Sequence, residues 1–248
     1  MNQSIEKVRA MKLSGIALAL EEQMQSPHVQ SLSFEERFTL LIDREETYRS
    51  NRRYQSRLRT AKLKDPTARI EDCDAHTGRG LDKSMIVSLS SCNWIRSKQN
   101  LFITGPTGVG KTFIACALAH RACIEGLNAR YYRWSRLMQD IAVAKATAKF
   151  PSFLENLAKL DLLVLDDWGI NALAIDERED LLEVLEDRYN LRSTVIISQI
   201  PVERWHELIG DPSIADAIMD RLVHSAHRIE MRGSSQRKVR SSLTDARQ

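Results

Sequence analysis

Gly105-Pro-Thr-Gly-Val-Gly-Lys-Thr112 is the stretch on which the reading of this chain turns. It follows the pattern G-x-x-x-x-G-K-[ST], the phosphate-cradling loop of nucleotide triphosphatases. Asn100-Leu-Phe-Ile-Thr104 precedes it, a short apolar run that reads as a buried parallel strand. Phe113 to Cys123 follows, with Phe113, Ala117, Leu118 and Ile124 spaced for one face of a helix. Strand, glycine loop and helix stand in the order that the chemistry requires.

The loop residues have separate tasks. Gly105, Gly108 and Gly110 allow the backbone to come close to a phosphate. The amides of Pro106-Thr107-Gly108-Val109-Gly110 (proline excepted) then face phosphate oxygens, aided by the positive end of the following helix. Lys111 reaches the β- and γ-phosphates, and the Thr112 hydroxyl is a ligand for Mg²⁺. The expected cofactors are ATP and Mg²⁺.

A second half of such a site lies downstream in Leu160-Asp-Leu-Leu-Val-Leu-Asp-Asp167. Its apolar run marks a central strand covered on both faces, and open α/β sheets place ligands at the carboxyl ends of their strands. Asp166 is expected to hold Mg²⁺, and Asp167 to polarise the attacking water as a general base. Either acid alone could be a helix cap or a turn residue; the pair, behind a buried strand and a matching loop, points to the site. Ser193-Thr-Val-Ile-Ile-Ser198-Gln199 is a further buried strand with polar residues at its end. Ser198 or Gln199 could sense the γ-phosphate, and the sequence does not choose between them.

The whole chain has 248 residues, 43% of them hydrophobic, enough for one full domain and a smaller one. No run of about 18 apolar residues suggests a membrane span, and the first residues lack the basic-then-apolar pattern of a secretion signal. Cys73, Cys92, Cys116 and Cys123 form no C-x-x-C pair and read as reduced thiols. A cytoplasmic protein, nucleoid-associated when bound to DNA, is the expectation. The net charge of +3 is uneven. Residues 1–65 hold 12 Lys/Arg against 9 Asp/Glu, residues 66–227 hold 18 against 22, and residues 228–248 hold 6 against 2. Basic ends around an acidic middle point to a polyanionic partner.

Residues 1–66 read as helical. Val8, Met11, Leu13, Ile16, Leu18 and Leu20 suit one amphipathic helix despite Gly15, interrupted at Ser26-Pro27. Ser33-Phe-Glu-Glu36 is a capping box before a second helix that Asp65-Pro66 should end. Along that helix Arg49, Arg52, Arg53, Arg57, Arg59 and Lys62 crowd together, with only Glu45 and Glu46 opposing them. Such a helix can lie along a DNA backbone; a solvated charged face is the plainer alternative. Residues 67–99 form a linker with a helix over 81–98, either a simple packing helix or a cover for the base through Arg79 and Leu81.

Beyond the loop, strands alternate with helices: a strand over 129–134, a helix capped by Ser135, another from Pro151, an acidic one over 176–190, short helices from Pro201 and Asp211-Pro212, and a last strand at 227–231. The basic stretch 145–149 is a turn or a DNA-facing loop. The fold class is therefore α/β, a parallel sheet flanked by helices behind a small all-helical N-terminal domain.

This order of parts resembles the AAA+ ATPases, in the branch of replication initiators and helicase loaders. Within it the sequence is most similar to the IstB family, helper ATPases of bacterial insertion sequences. The likeness is carried by Phe34-Glu-Glu-Arg37, Arg79-Gly-Leu81, the phosphate loop, Leu163-Val-Leu-Asp-Asp-Trp-Gly169, Ser198-Gln199, Asp220-Arg221-Leu222 and Gly233-Ser-Ser-Gln-Arg-Lys238. The resemblance implies a basic N-terminal domain for DNA binding and oligomerisation (1–66), a linker and covering helix (67–99), an AAA+ P-loop ATPase domain (100–232) and a basic tail (233–248). It implies that Arg221 acts in trans as an arginine finger, where a bare reading would allow an ion pair with Asp216 or Asp220. It also implies that Arg237 touches nucleotide in cis, where the tail could equally be a basic DNA-contacting end. Only 17 residues follow Met231, so the usual helical lid looks reduced. The implied activity is that of an ATP hydrolase that multimerises on duplex DNA, largely without regard to sequence, and recruits the transposase of the same element. A helicase loader is the competing reading.

Overall fold

The computed structural model describes residues 2–73, 79–170 and 172–235. The chain divides into two compact units, one ending at Ser56 and one beginning at Arg57, with the division falling inside a long helix.

The first unit holds α1 (Asn2–Ala10), α2 (Ser14–Gln25), α3 (Pro27–Gln30) and most of α4 (Phe34–Ala61). The single helix expected over residues 8–20 is broken, because Lys12 takes a left-handed φ of 61°. The break frees the first amides of α2, which have no partner inside their own helix. Glu45 of α4 accepts from the Gly15 amide at 2.7 Å and from that of Ile16 at 3.1 Å. Gly15 is required for this approach, since a Cβ there would lie 2.6 Å from Glu45 Cα. Small residues make the buried seam: Gly15, Ala17 and Ala19 are covered, whereas Met11 and Leu18 of the expected apolar stripe are exposed. The capping box at the start of α4 forms as read, with the Ser33 amide donating to Glu36 Oε2 at 2.8 Å and the Glu36 amide to Ser33 Oγ at 3.3 Å. The far end differs: α4 stops at Ala61, where Lys62 turns left-handed (φ 47°), before Asp65-Pro66 is reached.

In the second unit the expected helix over 81–98 is two helices, α5 (Lys83–Ser90) and α6 (Asn93–Arg96), with Cys92 left-handed between them at φ 57°. The Ser90-Ser91-Cys92-Asn93 run supplies side chains that bond locally to backbone and compete with a continuous helix; Ser91 Oγ, for one, donates to the Ser88 carbonyl and accepts from the Asn93 amide. Then come β1 (Asn100–Thr104), α7 (Lys111–Ile124), β2 (Ala129–Arg133), α8 (Trp134–Ala146), α9 (Phe150–Ala158), β3 (Leu162–Trp168), α10 (Ile175–Glu186), β4 (Ser193–Ser198), α11 (Trp205–Ile209), α12 (Pro212–Val223) and β5 (Ala226–Glu230). All five strands are parallel, in the order β2-β3-β4-β1-β5.

Two expectations are corrected by packing. α7 is not amphipathic: residues 114–120 are all buried and Ile124 is exposed, because the helix is covered by the sheet on one side and by α5 and the turn at Ile70–Asp72 on another. Ser135 does not cap α8, which begins at Trp134 directly out of β2 with no side-chain cap. The stretch 145–149 is the end of α8 and a turn; Lys145 pairs with Asp180 and lies 5.1 Å over the Phe150 ring.

The core beside the carboxyl edge is aromatic. Trp168 packs edge-to-face on Trp134 (4.8 Å between centroids) and on Trp205 (5.9 Å), and Trp205 meets Phe102 at 4.9 Å. Fully buried Trp168 thus anchors the two acids that precede it. The strand order brings the ends of β1, β3 and β4 side by side, which positions everything below.

Candidate functional site: a phosphate loop facing paired acids

A cavity of about 600 Å³ opens at the carboxyl edge of the sheet. The phosphate loop, the ends of β3 and β4, Arg79 and Leu81, and Met231 line it. The loop is pressed against the chain that leaves β5: the Met231 amide donates to Thr104 O at 2.7 Å, and a Cβ on Gly105 (φ 137°) would stand 2.2 Å from Met231 O. Only glycine fits there.

Lys111 opens α7 and is buried, with its ammonium folded back onto the carbonyls of Gly105 (2.6 Å) and Pro106 (2.7 Å). Burial pulls its pKa below the ordinary lysine value, and the Asp166 and Asp167 carboxylates oppose that shift. A cation so placed is ready to turn from two carbonyl dipoles to a phosphate. Thr112 Oγ1 donates to Asp166 Oδ2 at 2.9 Å, so the two sequence halves meet. Asp166 is 1% exposed; its Oδ2 also accepts from the Tyr131 hydroxyl at 2.7 Å, and its Oδ1 from the Asp167 amide at 2.8 Å. Burial and the bond to Asp166 raise the Tyr131 pKa, so the phenol stays a donor.

A hydroxyl beside a carboxylate is a hard-oxygen pair suited to Mg²⁺. Among the described residues no group of three His, Cys, Asp or Glu side chains could hold a metal alone.

Asp167 sits on a bulge. The register of β3 against β4 shifts between Leu165 and Trp168, and Asp167 takes a left-handed φ of 63°. The bulge turns consecutive acids to different partners, and such strain clusters at functional sites. Arg133, at the end of β2, donates to Asp167 Oδ2 at 2.8 Å, which raises the guanidinium pKa. Tyr131 and Arg133 are neighbours of the acids that the sequence does not single out. Their signal was faint: two polar side chains two residues apart on a strand next to the acid-bearing one.

The structure separates Ser198 from Gln199. Ser198 is buried, donates to Trp168 O at 2.8 Å and accepts from the Ile200 amide at 3.0 Å. Gln199 faces the loop, its Oε1 accepting from Thr107 Oγ1 at 2.7 Å. Arg79 donates to Val109 O at 2.7 Å, and Leu81 is buried in the wall, so both stand at the cavity.

Arg221 is not at this cavity. It lies on α12 near the amino ends of the strands, where the Leu222 and Arg221 carbonyls accept from Asn100 Nδ2. Its guanidinium pairs with Glu186, donates to Ala217 O at 2.8 Å and lies 6.0 Å over the Tyr189 ring. Neither Asp216 nor Asp220 is its partner; they pair with His206 and His224, because the face of α12 that carries Arg221 packs on α10. Arg237 lies outside the described residues. Of the basic residues on and after α4, Arg49 is held by Glu45 at 2.7 Å, and Arg57 is half-buried. Arg52, Arg53, Arg59 and Lys62 are exposed, with no ion pair among the described residues.

Comparison with known proteins follows the same lines. The model of the IstB-like ATP binding protein family matches residues 6–244. A protein of Sinorhizobium fredii named as an insertion-sequence ATP-binding protein is 44% identical over 235 residues, covering 95% of this chain and 96% of its own. A counterpart from the insertion sequence IS1162 of Pseudomonas fluorescens is 47% identical over 198 residues, 80% of this chain and 86% of its own. Among solved structures, the DnaC helicase loader superposes with a TM-score of 0.55 at 19% identity, covering 66% of this chain and 97% of that one, a likeness of fold. With a five-stranded parallel sheet, a phosphate loop facing paired acids and a family match over nearly its whole length, the chain belongs to the IstB-like ATP-binding proteins.

Proposed function

We propose that this chain is an ATP-hydrolysing helper of transposition. It takes up ATP with Mg²⁺ in the cavity at the carboxyl edge, assembles with copies of itself on duplex DNA, and marks or bends that DNA for the transposase of its element. Hydrolysis then dismantles or remodels the assembly. The observation that carries the reading is the 2.9 Å contact between Thr112 and Asp166, which joins the two halves of a nucleotide site. Relatives of nearly equal length are named for insertion sequences, which favours this client over the replicative helicase of a loader. Likeness to the helicase loader itself is confined to the fold.

In this reading Lys111 leaves the Gly105 and Pro106 carbonyls for the β- and γ-phosphates, while loop amides bind the remaining oxygens. Thr112 and Asp166 hold the metal, which supplies charge neutralisation on the phosphates when bound. Asp167 orients and deprotonates the attacking water once Arg133 gives up its carboxylate. Gln199 fixes the γ-phosphate from the other side of the loop. Arg221, remote from its own cavity, reaches that of a neighbouring subunit, so that the site is complete only in the multimer. Arg52, Arg53, Arg59 and Lys62, with Arg49 and Arg57, contact phosphates of the duplex.

Asp167→Asn tests the catalytic assignment. ATP binding should persist while phosphate release falls roughly 10²–10⁴-fold, the usual worth of a general base. Undiminished turnover in this variant would remove Asp167 from the chemistry.

A further inference from the structure

We propose that Lys64 is a resident counter-cation of Asp166 that magnesium-bound nucleotide displaces, so that the segment following α4 reports whether the site is filled. The inference rests on the ATP and Mg²⁺ reading above.

Asp166 is almost fully covered, yet its hydroxyl partners Thr112 and Tyr131 are neutral donors and do not cancel its charge. Lys64 Nζ stands 3.8 Å from the same Oδ2 that both hydroxyls bind. This ammonium has not reached the site from a loose surface loop. Ala61 and Leu63 beside it are buried, and Arg130 of β2 donates to the Thr60 carbonyl at 2.9 Å. The Lys64 and Asp65 backbone faces the Cys116 thiol of α7. Asp65 then accepts from the amide (3.0 Å) and hydroxyl (2.7 Å) of Thr67, which closes the turn. The backbone is fixed while the side chain stays 41% exposed, so the ammonium can leave without unfolding the segment.

A dication held by Thr112 and Asp166 and an ammonium on Asp166 Oδ2 are like charges competing for one carboxylate. The chain therefore has two arrangements: ammonium on Asp166, or ammonium released outward on the same short segment as the exposed Arg59 and Lys62. Released, it adds one cation to those available for a phosphate backbone. Linkage makes the effect reciprocal: a duplex that holds Lys64 outward lowers the magnesium needed to load nucleotide.

The test is a magnesium titration of binding of a fluorescent, non-hydrolysable ATP analogue to the full chain, with and without a short duplex. Lys64→Met keeps the stem and removes the charge; Lys83→Met, on the exposed start of α5, controls for net charge. In the absence of DNA, Lys64→Met should lower the magnesium midpoint about fivefold, the scale of a half-exposed ion pair. Duplex should lower the wild-type midpoint and move that of Lys64→Met by less than about twofold. Unchanged nucleotide affinity at saturating magnesium certifies the variant's fold. A midpoint equal to wild type, or loss of nucleotide at saturating magnesium, overturns the proposal, the latter because Lys64 would then hold the site together. Failure of the wild type to bind nucleotide at any magnesium concentration would instead overturn the ATP reading, and this inference with it.

Discussion

Asp166 and Arg52 mark two extremes in this chain. Asp166 is 1% exposed, and protein donors or a cation engage both its oxygens. Arg52 projects from α4 with no ion pair among the described residues. The first is fixed by several elements at once: β2, β3, α7 and the turn after α4. The second is fixed by one helix alone. A site of the first kind fails sharply when one atom is removed, because a buried polar group loses its partner and cannot recover it from water. A surface of the second kind degrades gradually, because each cation contributes a small, salt-screened share.

The largest effect should come from a residue that belongs to neither place within a single chain. Arg221→Ala leaves the cavity intact, so nucleotide affinity of the monomer should change little. Turnover in the assembled state should fall by roughly 10³-fold or more, the scale of an arginine finger. Mixing Arg221→Ala with Asp167→Asn subunits should restore some turnover, since some junctions then pair an intact Asp167 with an intact Arg221. Unchanged turnover in Arg221→Ala alone would confine Arg221 to its pairing with Glu186.

Replacing Arg52, Arg53 and Arg57 together by alanine should weaken duplex binding by about 10³-fold at low salt and flatten the slope of log affinity against log salt by about three. Gradual loss across single variants is part of this expectation. If one substitution accounts for the whole loss, the surface behaves like a site, and the contrast with Asp166 collapses.

The smallest effect is predicted inside the first unit. Burial would raise the pKa of Glu45, but bonds from Arg49 and the Ile16 and Gly15 amides outweigh it, and the net shift is downward. A carboxylate whose folded pKa is depressed contributes stability above its unfolded pKa, and that contribution is lost as pH falls through the folded value. Glu45→Ala should therefore destabilise α2 by about 1–2 kcal/mol near pH 7, on the scale of a lost helix cap. Hydrogen exchange of the α2 amides should show a smaller difference from wild type in acid. A difference independent of pH would assign the effect to packing instead.

The same contrast explains how much could be read in advance. The phosphate loop, the acid pair and the parallel sheet were legible because short-range order dictates them: apolar runs for buried strands, glycines for close approach, acids at strand ends. The breaks at Lys12 and Lys62 were not, since nothing local demands a left-handed turn there. They follow from contacts distant in sequence, such as Glu45 capping α2 and Arg130 binding the Thr60 carbonyl. The partners of Asp166 and Asp167 were hidden for the same reason. Tyr131, Arg133 and Lys64 are brought to the acids only by the β2–β3 register and by the turn after α4. Arg221 was legible through resemblance alone, and its actual partner, Glu186, lies 35 residues away in sequence.

The most direct test of the central claim, that ATP in this cavity controls assembly on DNA, is the size of the complex formed on a duplex, measured by sedimentation with ATP, with ADP and with no nucleotide. Wild type should form large, discrete nucleoprotein particles with ATP and lose them with ADP, and Lys111→Ala should form none under any of the three conditions. Particles of equal size without nucleotide, or undiminished assembly by Lys111→Ala in ATP, would contradict it.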